Sequence, residues 1–182
     1  MRQRVAGVLF AVIAVAAEVP MTAQDASPAL RPESADIRVL MTTGIEQSST
    51  FRDLAGRLNA GDVIVYLRFS RCKGDAPGCL LWASTTPGLR RVLIKIDPIG
   101  RSPNELTALL AHELQHALEV ADAPEIRDLA SFEKAFAGRG WKGTHGFETR
   151  QAREVTKRVA GELATAVTRV APSKRPAPPS GG

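Results

Sequence analysis

The sequence has few of the residues that bind transition metals, so their arrangement is informative. Its 182 residues include three histidines and two cysteines. Two cysteines are too few for a structural zinc site. No run of Lys and Arg is interleaved with aromatic residues, so we interpret the net charge of +5 as solvated surface and expect no nucleic-acid partner. The apolar content of 44% and charged content of 24% are ordinary for a globular domain.

Long apolar runs are also scarce, and only the N-terminus carries one. The chain begins with Met-Arg-Gln-Arg, continues with a thirteen-residue apolar stretch from Val5 to Ala17, and then becomes rich in small residues. This pattern predicts a secretory signal peptide over residues 1–23, because the stretch is too short to span a bilayer comfortably. We therefore expect a secreted or periplasmic protein with no stable membrane insertion after signal cleavage.

Composition divides the rest of the chain into three parts. Residues 24–35 are rich in Pro, Ala and Ser and are predicted to be a linker. Residues 172–182 are rich in Pro, Ser and Gly, cannot build a core, and are predicted to be a disordered tail. The folded domain is therefore expected over residues 36–171.

Four short β-prone segments precede the main helices. They are Ile37–Met41, Val63–Phe69, Leu80–Ser84 and Arg91–Ile96. Cys72 and Cys79 enclose Lys-Gly-Asp-Ala-Pro-Gly, which is a turn composition. Because an exported protein permits disulfides, we expect these cysteines to be bonded and to stiffen a hairpin of the second and third segments.

The motif that carries chemistry is H-E-x-x-H, formed by His112, Glu113 and His116. Residues four apart lie on one face of an α-helix, so the two imidazoles can bind one Zn²⁺. Glu113 follows the first histidine and is placed to act as general base toward a metal-activated water. Ser102-Pro103-Asn104-Glu105 is a capping box that predicts the start of this helix.

The helices extend to the end of the predicted domain. The motif helix is expected from about 103 to 119, a second helix from 122 to about 136 with Asp122 as its cap, and the longest from 147 to about 170. Strands first and helices afterwards indicate an α+β fold. We expect a small antiparallel or mixed sheet, followed by an H-E-x-x-H active-site helix and a long C-terminal helix.

A catalytic zinc usually has three protein ligands, so a third must lie elsewhere. Glu148 is the first choice because it is in register with an apolar stripe of the last helix. That stripe consists of Ala152, Val155, Val159 and Leu163. A carboxylate directed along a buried face needs a cationic partner, and a metal would provide one. Asp122 and His145 are the alternatives. His145 is also a candidate donor that polarises the substrate carbonyl or stabilises the oxyanion.

With His112, Glu113, His116 and Glu148 in these positions, the chain resembles the H-E-x-x-H zinc metallopeptidases (zincins), specifically their gluzincin branch. In that branch a glutamate from a downstream helix is the third ligand. The resemblance covers about residues 102–170. It implies a zinc-dependent peptidase that hydrolyses a peptide or protein substrate with Glu113 as general base. The alternative from another class is a secreted zinc-binding or scaffold domain without turnover.

Overall fold

A computed structural model of the protein describes residues 29–84, 86, 89–139, 141–143 and 146–170. The predicted signal peptide (1–23) and the predicted tail (172–182) lie outside the described residues, as does His145. The described residues form an α+β fold with a mixed sheet and a long C-terminal helix, as the sequence predicts.

The helices and strands alternate irregularly along the chain. The helices are α1 (Ala35–Gln47), α2 (Ser49–Asn59), α3 (Pro103–Ala121), α4 (Leu129–Arg139) and α5 (Arg150–Val170). The strands are β1 (Leu30–Pro32), β2 (Val63–Phe69), β3 (Gly78–Trp82), β4 (Arg90–Ile96), β5 (Trp141–Gly143) and β6 (Gly146–Glu148). A short 3₁₀ turn covers Lys73–Asp75.

The main sheet has four strands in the order β1-β2-β4-β3. β1 pairs with β2 and β2 with β4 in parallel, whereas β3 is antiparallel to β4 and forms an edge. Val65 lies opposite Val92, and Leu80 lies opposite Ile94. β2 and β4 occupy the centre of the sheet, and each buries every second residue on the face that packs against the core. The shorter β3 lies at the edge.

The predicted hairpin of the second and third β-prone segments is wrong. Cys72 and Cys79 do form a disulfide. However, β3 pairs with β4, and the disulfide closes the connection that carries the chain from β2 past β4 to the edge. Sequence patterns report which segments are strands, but the pairing of strands is decided by which apolar faces are packed together.

Two further expectations at the start of the domain require correction. Ile37–Met41, predicted to be β-prone, lies in α1, where the Ser34 side chain accepts a hydrogen bond from the backbone N–H of Ile37. Burial of that face against the core outweighs the β-propensity of the segment. The predicted linker 24–35 is part of the fold from Leu30 onward, since Leu30 is buried and β1 pairs with β2.

Helix α3 is the centre of the packing. It contacts α1, α2 and α5 as well as β2, β3 and β4. Leu110, Leu114 and Leu118 on α3 are almost fully buried, and each such side chain stabilises the fold by about 1.5–3 kcal/mol. The stripe predicted for the last helix is also buried (Ala152, Val155, Val159 and Leu163). Among the described residues, the structure contains no helix of the length and apolarity that a membrane span requires.

A buried arginine holds the C-terminus of α3. Arg90, only 4% exposed, donates hydrogen bonds to the carbonyl oxygens of Ile126 (3.0 Å), Ala123 (2.9 Å) and Val120, and to Asp62 (2.7 Å). These carbonyls lie at the end of α3 and in the turn after it, where backbone acceptors have no helical partner. The predicted helix start in this turn is therefore wrong, and α4 begins only after Asp128, whose side chain accepts from the backbone N–H of Ser131 at 2.8 Å.

A carboxylate of α5 lies at the N-terminus of α2. Glu162 accepts hydrogen bonds from the Ser48 hydroxyl, the Ser49 hydroxyl (3.1 Å), and both the backbone N–H (3.2 Å) and hydroxyl (2.9 Å) of Thr50. Burial alone would raise the pKa of Glu162, but these hydrogen bonds outweigh it and lower the pKa. The contact ties the last helix to the first half of the domain.

Candidate metal centre

The helix that carries the H-E-x-x-H residues begins as the sequence predicts. The Ser102 side chain accepts from the backbone N–H of Glu105 at 3.4 Å, and the Glu105 carboxylate accepts from the backbone N–H of Ser102 at 2.7 Å. Pro103 occupies the first helical position. These contacts set the register of α3, which runs unbroken to Ala121 and presents His112 and His116 on one face.

Three side chains converge at this face. His112 Nε2 lies 3.2 Å from His116 Nε2 and 3.6 Å from Glu148 Oε1. One ligand atom from each residue lies within 4.8 Å of the other two. The side chains of His112, His116 and Glu148 are 14%, 4% and 30% exposed. These three residues could therefore hold one metal ion.

Hydrogen bonds on the far side of each ring determine the tautomer of the two histidines. His116 Nδ1 lies 3.0 Å from Glu119 Oε2, and a carboxylate only accepts, so Nδ1 carries the proton. His112 Nδ1 lies 2.9 Å from Thr156 Oγ1, whose own hydrogen is donated to the Ala152 carbonyl, so this Nδ1 is also the donor. Both Nε2 atoms therefore present lone pairs to each other at 3.2 Å.

This arrangement fits a cation. Two facing lone pairs repel unless a proton or a metal lies between them. Glu148 Oε1 is buried and accepts no hydrogen bond from the described residues, and a buried acceptor without a partner is costly. Burial raises the pKa of Glu148, because a carboxylate loses hydration there. A divalent ion would satisfy all three atoms, and two imidazoles with one carboxylate suit several transition metals, zinc included.

The two histidines differ in charge preference. Burial and the neighbouring His116 lower the pKa of His112 to about 4, so His112 is neutral near pH 7. Burial also lowers the pKa of His116, but its hydrogen bond with Glu119 and the charges of Glu113, Glu119 and Glu148 outweigh burial and raise the pKa. In the metal-free chain, a proton on His116 Nε2 can be shared with His112 Nε2.

Glu148 reaches the site from an element that the sequence did not predict. The sequence placed it in the first turn of the last helix, but it is the final residue of β6, whose partner strand β5 begins at Trp141. Thr149 then caps α5 by accepting from the Ala152 backbone N–H at 3.2 Å. The apolar stripe used to predict Glu148 is helical only from residue 152 onward. Glu148 matches the spacing of that stripe, but it precedes the first residue of α5.

Of the alternative third ligands, Asp122 does not reach the site. It is the C-cap of α3, and its carboxylate forms an exposed ion pair with Arg57 at 2.9 Å. The other alternative, His145, is outside the described residues and stays a prediction.

Two further residues hold the histidines of the site. Glu119 could be suspected from the sequence, since it lies three residues after His116 on the same helix, although the sequence alone did not establish the contact. Glu119 bonds His116 as described, and it also accepts from the Thr149 hydroxyl at 2.7 Å. Burial would raise the pKa of Glu119, but the hydrogen bonds from His116 and Thr149 lower it. Thr156 supports His112 from α5. Its only sequence signal was its position four residues after Ala152, on the face of α5 that meets α3.

Glu113 is buried beside the three candidate ligand residues, with its carboxylate against the edge of the sheet. It is 4% exposed, and a Cβ on Gly78 would lie only 2.5 Å from Glu113 Oε1, so glycine is required for this close approach. Burial and the charge of Glu148 raise the pKa of Glu113 to about 7, although His116 opposes the shift. Gly78 is the first residue of β3, which brings the edge of the sheet against the carboxylate.

Glu113 and His116 lie at the floor of a cleft of about 400 Å³. Its walls are β3, the disulfide loop that precedes β3, and α4. Leu80, Phe132 and Phe136 form its apolar side. The cleft therefore brings an exposed sheet edge, an apolar wall and a buried carboxylate to the same place.

Comparisons of the chain with protein-family models, with curated proteins and with solved structures found no match.

Proposed function

We propose that the protein is an exported zinc metallopeptidase in which His112, His116 and Glu148 bind zinc and Glu113 is the general base. One observation carries the proposal: two imidazole lone pairs and a partnerless buried carboxylate oxygen converge, next to a glutamate at the floor of a cleft. Glu113 is only 4% exposed, so it is not a surface charge, and it is not one of the three residues that would bind the metal.

Zinc bound by such a ligand set lowers the pKa of water to about 7 and polarises a carbonyl group. The residues of the chain have separate tasks. Glu119 and Thr156 keep each Nδ1 protonated and so keep each Nε2 available. Glu113 takes a proton from the attacking water onto its carboxylate and returns it to the leaving amine.

The peptide substrate is proposed to add to the edge of the sheet as a further strand. β4 has a partner strand on each side, whereas β3 forms the edge of the sheet that borders the cleft. Backbone hydrogen bonds to β3 would hold an extended peptide along the cleft, past Glu113. His145, three residues before Glu148 in the chain, stays a candidate for polarising the substrate carbonyl.

Export is part of the proposal. The disulfide between Cys72 and Cys79 favours an oxidising compartment. The predicted signal peptide over residues 1–23 supports the same destination, secreted or periplasmic.

Metal content and peptide cleavage, measured on a set of variants, test the proposal. Wild type purified without chelators should carry about one zinc per chain by elemental analysis and should cleave peptides from a broad library. Glu148→Ala should be zinc-poor and inactive, because two imidazoles form an incomplete ligand set. Glu113→Gln should be zinc-loaded and inactive, because only the proton acceptor is lost. Glu154→Gln, an exposed glutamate of α5, is the matched control and should behave as wild type.

The outcomes separate the alternatives. A metal-free wild type would overturn the metal centre. A zinc-loaded wild type that cleaves no peptide would favour the zinc-binding domain without turnover. Full zinc in Glu148→Ala would place the third ligand elsewhere, with His145 the next residue to change.

A further inference from the structure

The cleft beside Glu113 has a cationic end. Three of its lining residues are basic, namely Arg71, Lys73 and Lys95, and we call them the cationic end. Glu113 is the single acidic residue among the described residues that line the cleft. The lining also includes the aromatic side chain of Phe132. A ligand that fills this cleft therefore meets both positive charge and aromatic surface.

The fold fixes the three cations next to one another. Cys79 lies directly opposite Lys95 in the antiparallel pair of β3 and β4. The disulfide from Cys79 to Cys72 then holds the neighbouring Arg71 and Lys73 at the same corner of the sheet. The disulfide and the pairing of β3 with β4 therefore fix the backbone positions of the cationic end.

This positive charge is only partly compensated. Arg71 approaches Asp97 at 3.7 Å, and its side chain is 75% exposed. Within the part of the chain that the structure describes, neither Lys73 nor Lys95 has an ion-pair partner within 4.0 Å. Two ammonium groups and a guanidinium at the rim of a cleft attract an anion.

We propose that the cationic end binds a carboxylate of the peptide ligand, either an acidic side chain or a free C-terminus. The inference rests on the proposed function in that the ligand is taken to be a substrate. A peptide strand lying along β3 passes from Glu113 toward the disulfide loop, so its carboxylate would lie a few residues from the bond that is cleaved.

Binding and cleavage of matched peptides test this assignment separately. The probes are a decapeptide with a central Asp, its Asn twin, and each of these with a free or an amidated C-terminus. Binding is measured by fluorescence anisotropy on Glu113→Gln, which cannot turn the probes over, and cleavage is measured on wild type. Exposed ion pairs each contribute roughly 1.5- to 5-fold, so the preferred carboxylate should strengthen binding by about 3- to 10-fold. The preference should shrink at high salt.

Charge reversal identifies the residues responsible. Lys73→Glu and Lys95→Glu, on the Glu113→Gln background, should each reduce the preference at least about 2-fold, and together should abolish or invert it. Lys73→Ala is a milder variant in case a reversal disturbs folding. Lys157→Glu, on the exposed face of α5, changes the net charge equally and should leave the preference intact.

Each result decides one of the two proposals. Equal binding of the Asp and Asn probes, and of the acid and amide forms, overturns the cationic-end assignment even if wild type cleaves them all. An equal loss in Lys157→Glu also overturns it, because net charge alone would then explain the effect. A charge-dependent preference in a protein that cleaves nothing supports the cationic end and refutes the peptidase. Which of the two carboxylates gives the preference distinguishes an acidic side chain from a C-terminus.

Discussion

Thr156 is the residue at which the metal-centre reasoning can be tested without any substrate. Its hydroxyl donates to the Ala152 carbonyl at 2.9 Å, which leaves its oxygen to accept the proton of His112 Nδ1. Thr156→Val keeps the shape of the side chain and removes that acceptor. The His112 ring is then free to adopt the other tautomer, whose lone pair faces away from His116 and Glu148.

The expected loss follows from these contacts. Removing a hydrogen-bond partner behind a ligating histidine typically weakens metal affinity by about 10- to 100-fold. The unpaired buried N–H costs about 1–3 kcal/mol, but the metal-free protein bears much of the same cost. Metal affinity itself changes only through the orientation and tautomer of the His112 ring. We therefore expect the lower end of the range, a loss of affinity of about 10-fold or 1.4 kcal/mol.

The assay is competition for Zn²⁺ with a chromogenic chelator. Thr165→Val is the control, because Thr165 lies on the same helix and donates to the carbonyl four residues earlier, Gly161, also at 2.9 Å. Thermal unfolding of the metal-free proteins should show that both variants fold, with Thr156→Val the less stable because the buried N–H of His112 loses its acceptor. If Thr156→Val and Thr165→Val bind zinc equally tightly, the tautomer argument is refuted.

Three further predictions concern the frame around the site. Arg90→Met should lower the free energy of unfolding by about 1–3 kcal/mol in urea titrations, because the carbonyls at the end of α3 lose a buried donor; a loss no greater than that of Arg150→Met, an exposed control, would contradict it. Glu162→Gln should cost about 1 kcal/mol at pH 7. The folded-state pKa of Glu162 is lowered, so this contribution is present above the unfolded pKa and is lost as pH falls through the folded one; a wild-type advantage that grows below pH 4 would refute it. Cys72 and Cys79 should resist alkylation in the exported protein until it is reduced, and mass spectrometry showing two modified thiols without reduction would contradict the disulfide.

Local signals predicted the parts of the fold that local interactions decide. The capping box at Ser102 and the helical spacing of apolar residues predicted α3 to within two residues of its end. The apolar stripe predicted α5, and runs of β-prone residues predicted β2 and β4. The proximity of His112 and His116 could be predicted because residues four apart lie on the same face of an α-helix.

The parts that failed depend on residues distant in the chain. Ile37–Met41 has β-prone side chains, but packing under β1 and β2 makes it a helix. Glu148 does lie in a cluster with His112 and His116, but it belongs to a strand and not to the predicted helix, since a strand of three residues leaves almost no pattern. Thr156 could not be found at all, because its role requires knowing how α5 crosses α3.

The candidate ligand residues come from two parts of the chain, α3 and the end of β6 just before α5. An ion held by His112, His116 and Glu148 would act as a removable cross-link between segments about thirty residues apart in sequence. By mass action, a metal at 100 times its dissociation constant would add about 2.7 kcal/mol to the free energy of unfolding. The stability of the C-terminal helix would thus depend on the free metal concentration around the protein. Its resistance to proteolysis would therefore rise with the metal content of the surrounding compartment.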